Sequence, residues 1–282
     1  KVYIVMKFSK LIAERYDEEI DLDFSKIKKT ATLKSILSRR SIRKFLNKPI
    51  SKELLTLLLA ASQSAPSKSN LQQYSILVIQ DQNIKNEISD LIGNTKWALT
   101  APIFLLYLAD IRRNIKITND RGYDHKNNNV DTFMNSVIDA ALAMQSTICA
   151  AESIGLGVCP ISMIRNIIEE VKVICELPKG VFPIAGLAIG WPDQKSKISI
   201  RLSQDIVTHL NKYNEKDLIH KINKYDAKVF KKDPIPEKKQ RHIDLYGVAK
   251  KGTWSENISR QLSVPERSHF KNWLKKNGFN LE

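Results

Sequence analysis

Three long apolar runs constrain this chain most: YSILVIQ (Tyr74–Gln80), PIFLLYLAD (Pro102–Asp110) and VFPIAGLAIGWP (Val181–Pro192). They are rich in β-branched and aromatic residues, short, and uninterrupted by charge, so each reads as a strand buried in a sheet. Pro183 places the first half of the third run at a sheet edge or a bulge, because proline cannot donate to the ladder. Helical patterns fill the spaces between the runs. About three strands and seven helices predict an α+β sandwich.

The helices have recognisable ends. A short helix is expected over Thr32–Ser38. Ser51 can cap the next one, with Glu53 in its first turn against the positive helix end. ELLTLLLAASQSA is almost wholly apolar, which predicts burial on most sides. Pro66 ends it in the loop APSKSNLQQ. Asp81 caps a helix with Ile84, Ile88, Leu91 and Ile92 on one face, closed by Gly93. The Ala-rich stretch Asp131–Ser153 predicts a long helix able to approach a neighbour closely, stopped by Gly155 and Gly157. VCPISM is short and extended, and NIIEEVKVICEL is helical until Pro178 and Gly180. The polar stretch Arg112–Asn129 is expected to be a long loop. After Trp191–Pro192 periodicity fades. Lys216–Lys231 reads as a helix, Lys232–Lys251 with Pro234 and Pro236 as a flexible excursion, and Pro265 as the first turn of a last helix behind Ser263, closed by Gly278. A tail this extended is expected to wrap something rather than fold alone.

Charge says less than its size suggests. The 282 residues carry 45 Lys+Arg against 30 Asp+Glu, a formal +15, which favours anionic partners. The lysines are scattered, however, as on a solvated surface. Cys149, Cys159 and Cys175 form no C-x-x-C pair. Cys149 and Cys175 read as small core residues, and the set suits a reducing compartment. The opening KVYIVMKFSK has an apolar run too short for a signal-peptide core, and no stretch has the length of a membrane span. The expectation is a soluble, cytoplasmic protein.

No phosphate-binding glycine signature is present, neither G-x-G-x-x-G nor a Walker loop. The five histidines, His125, His209, His220, His242 and His269, fall in surface or tail segments. Asp139 and Glu152 are lone helix carboxylates of the kind that serve salt bridges, and no acid–base pair stands out. Three polar stretches remain: RRSIRKF (Arg39–Phe45), APSKSNLQQ and GNTKWALTAP (Gly93–Pro102). The first carries Arg39, Arg40, Ser41, Arg43 and Lys44 interleaved with Ile42 and Phe45. It suits a solvated helix end, a nucleic-acid patch or a cradle for one phosphate. A nucleic-acid surface would need more aromatics among the arginines than Phe45, and no binding motif accompanies it.

Order and spacing add to this. RRSIRKF, then LLLAASQSAPSKSNLQQY, KWALTAPIFLLYLAD, AMQSTICAAESIGLGVCPI and ELPKGVFPIAGLAIGWP, followed by GWPDQKSKISIRLS and GTWSENISR, resemble the FMN-dependent nitroreductase family from about Leu33 to Phe279. The tail is similar to that of the oxygen-insensitive NADPH nitroreductases and their flavin reductase relatives. The resemblance implies a three-layer α-β-α sandwich with a mixed, mainly antiparallel sheet. It also implies a homodimer with the C-terminal arm exchanged onto the partner. Residues 1–32 would be an N-terminal extension, 33–192 the FMN-binding core, and 193–282 an arm and helical excursion of the same domain.

It further implies roles. Arg39, Arg40, Ser41 and Arg43 would bind the FMN phosphate and pyrimidine edge. Ser67, Asn70 and Gln72 would meet FMN, often from the partner subunit. Thr95, Lys96 and Trp97 would contact the flavin, with Lys96 near N1–O2. Pro160, Ile161, Ser162 and Met163 would lie along the ring, although relatives carry two glycines where Ser162 and Met163 stand. Ser199 and Arg201 match a Lys-Pro-Arg block whose lysine is replaced by Ser199. Lys250 and Lys251 stand where relatives have paired arginines for the extra phosphate of NADPH. No protein residue is expected to act as a catalytic acid or base. The implied activity is hydride transfer from NADPH to FMN and on to nitroaromatics or quinones, with a flavin reductase as the alternative.

Overall fold

The computed structural model describes residues 8–19 and 21–282; the apolar run at the extreme N-terminus lies outside them. The elements run α1 (Phe8–Tyr16), α2 (Ala31–Leu37), α3 (Lys52–Gln63), β1 (Tyr74–Ile79), α4 (Gln82–Leu91), β2 (Ile103–Asp110), α5 (Arg112–Asp120) and α6 (Val130–Ser153). They continue with β3 (Gly157–Ile161), α7 (Ile168–Ile174), β4 (Val181–Gly190), α8 (Gln204–Val207), α9 (Leu218–Lys232), α10 (Ile243–Tyr246), α11 (Trp254–Leu262) and α12 (Phe270–Lys276). Residues 31–197 and 267–282 form one compact unit; the described residues before 31, with 198–266, form another.

The first unit is the expected sandwich. Its sheet has the order β1-β2-β4-β3, and every pairing is antiparallel. Side chains alternate along β2. Ile103, Leu105, Tyr107 and Ala109 join the core layer beneath α3 and α6, whereas Phe104, Leu106 and Leu108 join the layer beneath α4 and α7. A bulge between Tyr107 and Leu108 leaves Ile184 of β4 without a partner. Pro183 therefore sits beside a bulge, in the first half of β4, which pairs with β2 alone because β3 reaches only Gly186–Gly190. Gly186 faces Phe104, whose ring would lie 2.2 Å from an added Cβ. α12 returns to this unit. Phe133, Phe270, Trp273 and Phe279 surround Phe182 edge-on.

Several expectations change. The stretch VCPISM supplies a fourth strand, β3. β1 is an edge strand and is only half-buried along its middle. α3 is not buried on most sides: Leu57 is 58% exposed, while Leu58 and Ser62 are its buried residues. The polar stretch after β2 begins with a helix, α5, rather than a loop. Its N-cap residue, Ile111, offers no side-chain cap and two arginines sit at its positive end; Asp110, one residue earlier, accepts from Arg113 N–H at 3.2 Å. The excursion over 232–251 is folded, containing a turn at Glu237–Lys239 and α10. The Gln240 side chain bonds both the N–H and C=O of Ala249. Trp254–Leu262 is helical, and the last helix begins at Phe270 instead of Pro265. Cys149 and Cys175 are half-buried, and Cys159 is the fully buried thiol. Among the described residues no helix is long and apolar enough to cross a membrane.

Candidate functional site

After α2 the chain runs across the end of the sheet. Ile42 N–H donates to Val158 O at 3.0 Å, and Leu46 N–H donates to Trp191 O at 2.8 Å. Phe45 forms a bridge with Pro192. Ile42 is buried against Gly157, where a Cβ would lie 2.7 Å from Ile42 Cγ1. The two apolar residues thus pin the basic stretch to β3 and to the end of β4.

The buried Cys159 thiol reports where the polar residues point. Burial pushes its pKa up, and that rise is opposed by Arg43, by a hydrogen bond with Ser41 and by Arg39. Three of the four expected cradle residues thus act on this one thiol of β3. Arg39 pairs with Glu152 at 3.8 Å, so this helix carboxylate does serve an ion pair. Arg40 is exposed and donates to Ser38 O at 3.1 Å. Arg43 is exposed and makes no hydrogen bond or ion pair among the described residues. Lys44 is on the surface, paired with Asp193 at 2.8 Å. A cavity of about 190 Å³ beside the cradle is lined by Arg39, Arg40, Glu152, Gly157 and Gln194.

The loop after α3 is built around Asp139, which is not the surface ion-pair residue its sequence suggests. It is 1% exposed on the inner face of α6. Its carboxylate accepts from Ser67 Oγ (2.8 Å), Lys68 N–H (3.0 Å) and Gln73 N–H (3.1 Å). The Ser67 hydroxyl also accepts from Gln72 N–H at 2.7 Å, so it closes the loop. Asn70 and Gln72 are exposed, and their side chains bond to each other at 3.2 Å. The signal that marks Asp139 is its place in a buried stripe, Ser136, Asp139, Ala140, Ala143 and Thr147, at helical spacing. Arg113, unforeseen from sequence, clamps the far end of the loop from α5. It donates to Gln72 O (2.9 Å), Tyr74 O (3.1 Å) and Ser75 Oγ (2.7 Å).

Thr95, Lys96 and Trp97 lie in a 3₁₀ turn over Gly93–Thr100. Trp97 packs into the α4–α7 layer, whereas Lys96 is exposed and makes no hydrogen bond or ion pair among the described residues. Lys85 of α4, buried and lowered in pKa by that burial, holds the end of this turn through Ala101 O and Pro102 O. Pro160 and Ile161 end β3, and Ser162 and Met163 open the turn over Met163–Ile167. Arg165 in that turn donates to the bulge carbonyl of Ile184. β3 thus leads from Val158, where the basic stretch is pinned, directly into the segment expected to lie along the ring.

Ser199, Arg201, Lys250 and Lys251 belong to the second unit. Ser199 O accepts from Arg15 at 3.0 Å, and Arg201 N–H donates to Arg15 O at 2.9 Å. Burial raises the Tyr225 pKa, and Arg201 opposes that rise. The exposed Lys250 and Lys251 line a cavity of about 850 Å³ whose floor is the buried Asp226, a partner of Ser255. At Gly252 a Cβ would lie 2.0 Å from Ile235 O, so this backbone approach requires glycine.

The sequence model described as the nitroreductase family matches residues 36–191, and that of the nitroreductase family C-terminal domain matches residues 200–282. An FMN reductase (NAD(P)H) of Bacillus subtilis is 34% identical over 255 residues, covering 89% of this chain and 98% of its own. An oxygen-insensitive NADPH nitroreductase of Salmonella typhimurium is 30% identical, covering 88% and 98%. Of the solved structures, a nitroreductase from B. subtilis superposes with a TM-score of 0.80 at 33% identity, covering 88% of this chain and 99% of that one. The NADPH:FMN oxidoreductase of Vibrio harveyi, complexed with NAD+, superposes with a TM-score of 0.76 at 29% identity, covering 89% and 99%. This chain belongs to the nitroreductase family.

Proposed function

We propose that the protein is an FMN-dependent NAD(P)H oxidoreductase, acting as a cytoplasmic homodimer on small-molecule electron acceptors. The observation that carries this reading is the pinning of the basic stretch to β3, through the packing of Ile42 on Gly157 and the Ile42 N–H bond to Val158 O, two residues before the Pro160–Met163 segment. The donor set fits FMN. Arg43 and Lys96 have no internal partner among the described residues, and Arg40 spends only one N–H on a backbone carbonyl, so their charge is available to an anion. Arg39, Arg40, Ser41 and Arg43 would take the phosphate and pyrimidine edge. Ser67, Asn70, Gln72, Thr95, Trp97 and the 160–163 segment would border the ring.

When bound, FMN would supply the hydride-transfer redox chemistry that links a nicotinamide donor to a second substrate. The chain's residues bind, orient and set the local charge. Lys96 would put a cation at the N1–O2 edge, where negative charge gathers on reduction. Lys250 and Lys251 would meet the 2′-phosphate of NADPH as point charges. Nitroaromatics and quinones are the proposed acceptors. Free flavin is the second reading, favoured by the FMN reductase relatives.

A dimer is supported by the exposed apolar side chains of α6, Met134 (54%), Ile138 (49%) and Leu142 (38%), which recur every four residues. Leu210, 88% exposed, suits an arm that finds its cover on a partner. Three free thiols support a reducing compartment. Titration of the flavin-free protein with FMN tests the reading. Uptake of one FMN per chain is expected, and a protein that takes up none overturns it.

A further inference from the structure

The loop from Ser67 to Gln73 holds three non-glycine residues in left-handed backbone: Ser69 (φ 51°), Asn70 (φ 56°) and Gln72 (φ 50°). Such a run persists only where its surroundings over-determine it. Asp139 does so here. Its two oxygens receive three donors from both ends of the loop, Ser67 Oγ, Lys68 N–H and Gln73 N–H. No cation pairs with it among the described residues. A carboxylate is the side chain that can accept all three; an asparagine would turn an NH₂ toward one of them. Arg113, itself held 3.5 Å from Asp110, fixes the carbonyls of Gln72 and Tyr74. Clamped in this way, the loop presents the Asn70 and Gln72 side chains outward.

We infer that Asp139 is the positioning residue of the flavin-facing loop: it holds Asn70 and Gln72 in the conformation that receives the cofactor before the cofactor arrives. This inference rests on the FMN reading above. The side chain is buried and, among the described residues, its hydrogen bonds go to the loop, so it acts through Asn70 and Gln72.

The test is a double-mutant cycle on FMN affinity, read by quenching of flavin fluorescence on titrating the flavin-free protein. Asp139→Asn should weaken FMN binding about tenfold, as expected for loss of one charge-assisted hydrogen bond. In a chain already carrying Asn70→Ala and Gln72→Ala, the same substitution should change affinity less than about twofold, because the residues it positions are gone. Hydrogen exchange in the flavin-free protein should quicken at the Lys68 and Gln73 amides in Asp139→Asn. An equal loss of affinity in both backgrounds, or unchanged exchange at those amides, overturns the inference. Should Asp139→Asn fail to fold, Asp139→Ser, which keeps one acceptor in a smaller side chain, should show the same non-additivity. Wild-type protein that binds no FMN refutes the FMN reading instead, and is distinguished by appearing without any substitution.

Discussion

Replacing Arg43 by alanine removes a guanidinium that does nothing for the fold. Among the described residues it makes no hydrogen bond or ion pair, and its side chain lies at the surface beyond the Ile42 anchor. Its visible effect is electrostatic, through its field at the Cys159 thiol. The stability of the flavin-free protein should therefore move by no more than about 0.5 kcal/mol, as for other surface substitutions away from structural contacts. Affinity for FMN should fall by about 1.5–3 kcal/mol if one charge-assisted phosphate bond is lost. That is a roughly 10- to 150-fold rise in Kd. Urea unfolding of the flavin-free protein measures the first quantity and fluorescence titration with FMN the second. Arg39→Ala provides the contrast. It breaks the pair with Glu152, whose side chain is only 12% exposed, so stability and affinity should both fall. If Arg43→Ala leaves FMN affinity unchanged, or costs as much stability as Arg39→Ala, the basic stretch is not the cradle described.

Gly186→Ala should destabilise the core by about 1–3 kcal/mol, because the new Cβ would lie 2.2 Å from the fully buried Phe104 ring; Phe104→Leu in the same chain should recover part of the loss in urea midpoint. Burial pushes the Cys175 thiol from its ordinary 9.0 to about 11. Between those values the folded state keeps a proton that the unfolded chain has released, so this thiol's contribution to stability falls as pH rises through the window. Unfolding of Cys175→Ala across that range should lack this part of the decline seen in the wild type. Replacing Lys250 and Lys251 together by alanine should raise KM for NADPH several-fold, an ion-pair-sized effect, and leave KM for NADH unchanged; equal changes for both nucleotides would remove these lysines from the 2′-phosphate.

The sheet was legible because β2 and β4 are continuous apolar runs, and such runs have few other places to go. The ends of α3 and α4 were legible through Ser51 and Asp81, whose side chains do accept from the first turn. α11 could have been read: Thr253 caps it and Glu256 follows three residues later, the spacing of a capping box. α5 was harder to read, since its arginines oppose the helix dipole and the side chain that accepts from its first turn, Asp110, ends the preceding strand. In the site, the arginine stretch announces itself by composition, and Ile42 and Phe45 by their alternation with it. The stripe marks Asp139 as buried but not its partners, which lie in a loop some 66 to 72 positions away. The left-handed residues of that loop are equally silent, since none of them is glycine.

The central claim is that this chain holds FMN and passes electrons through it in two separate half-reactions. Anaerobic absorbance of the FMN-loaded protein near the flavin maximum tests it most directly. Adding NADPH alone should bleach the flavin, and a nitroaromatic, quinone or free flavin added after the nucleotide is removed should restore the oxidised spectrum. A bound flavin that NADPH and NADH both fail to bleach, or a reduced one that none of these acceptors reoxidises, would contradict it.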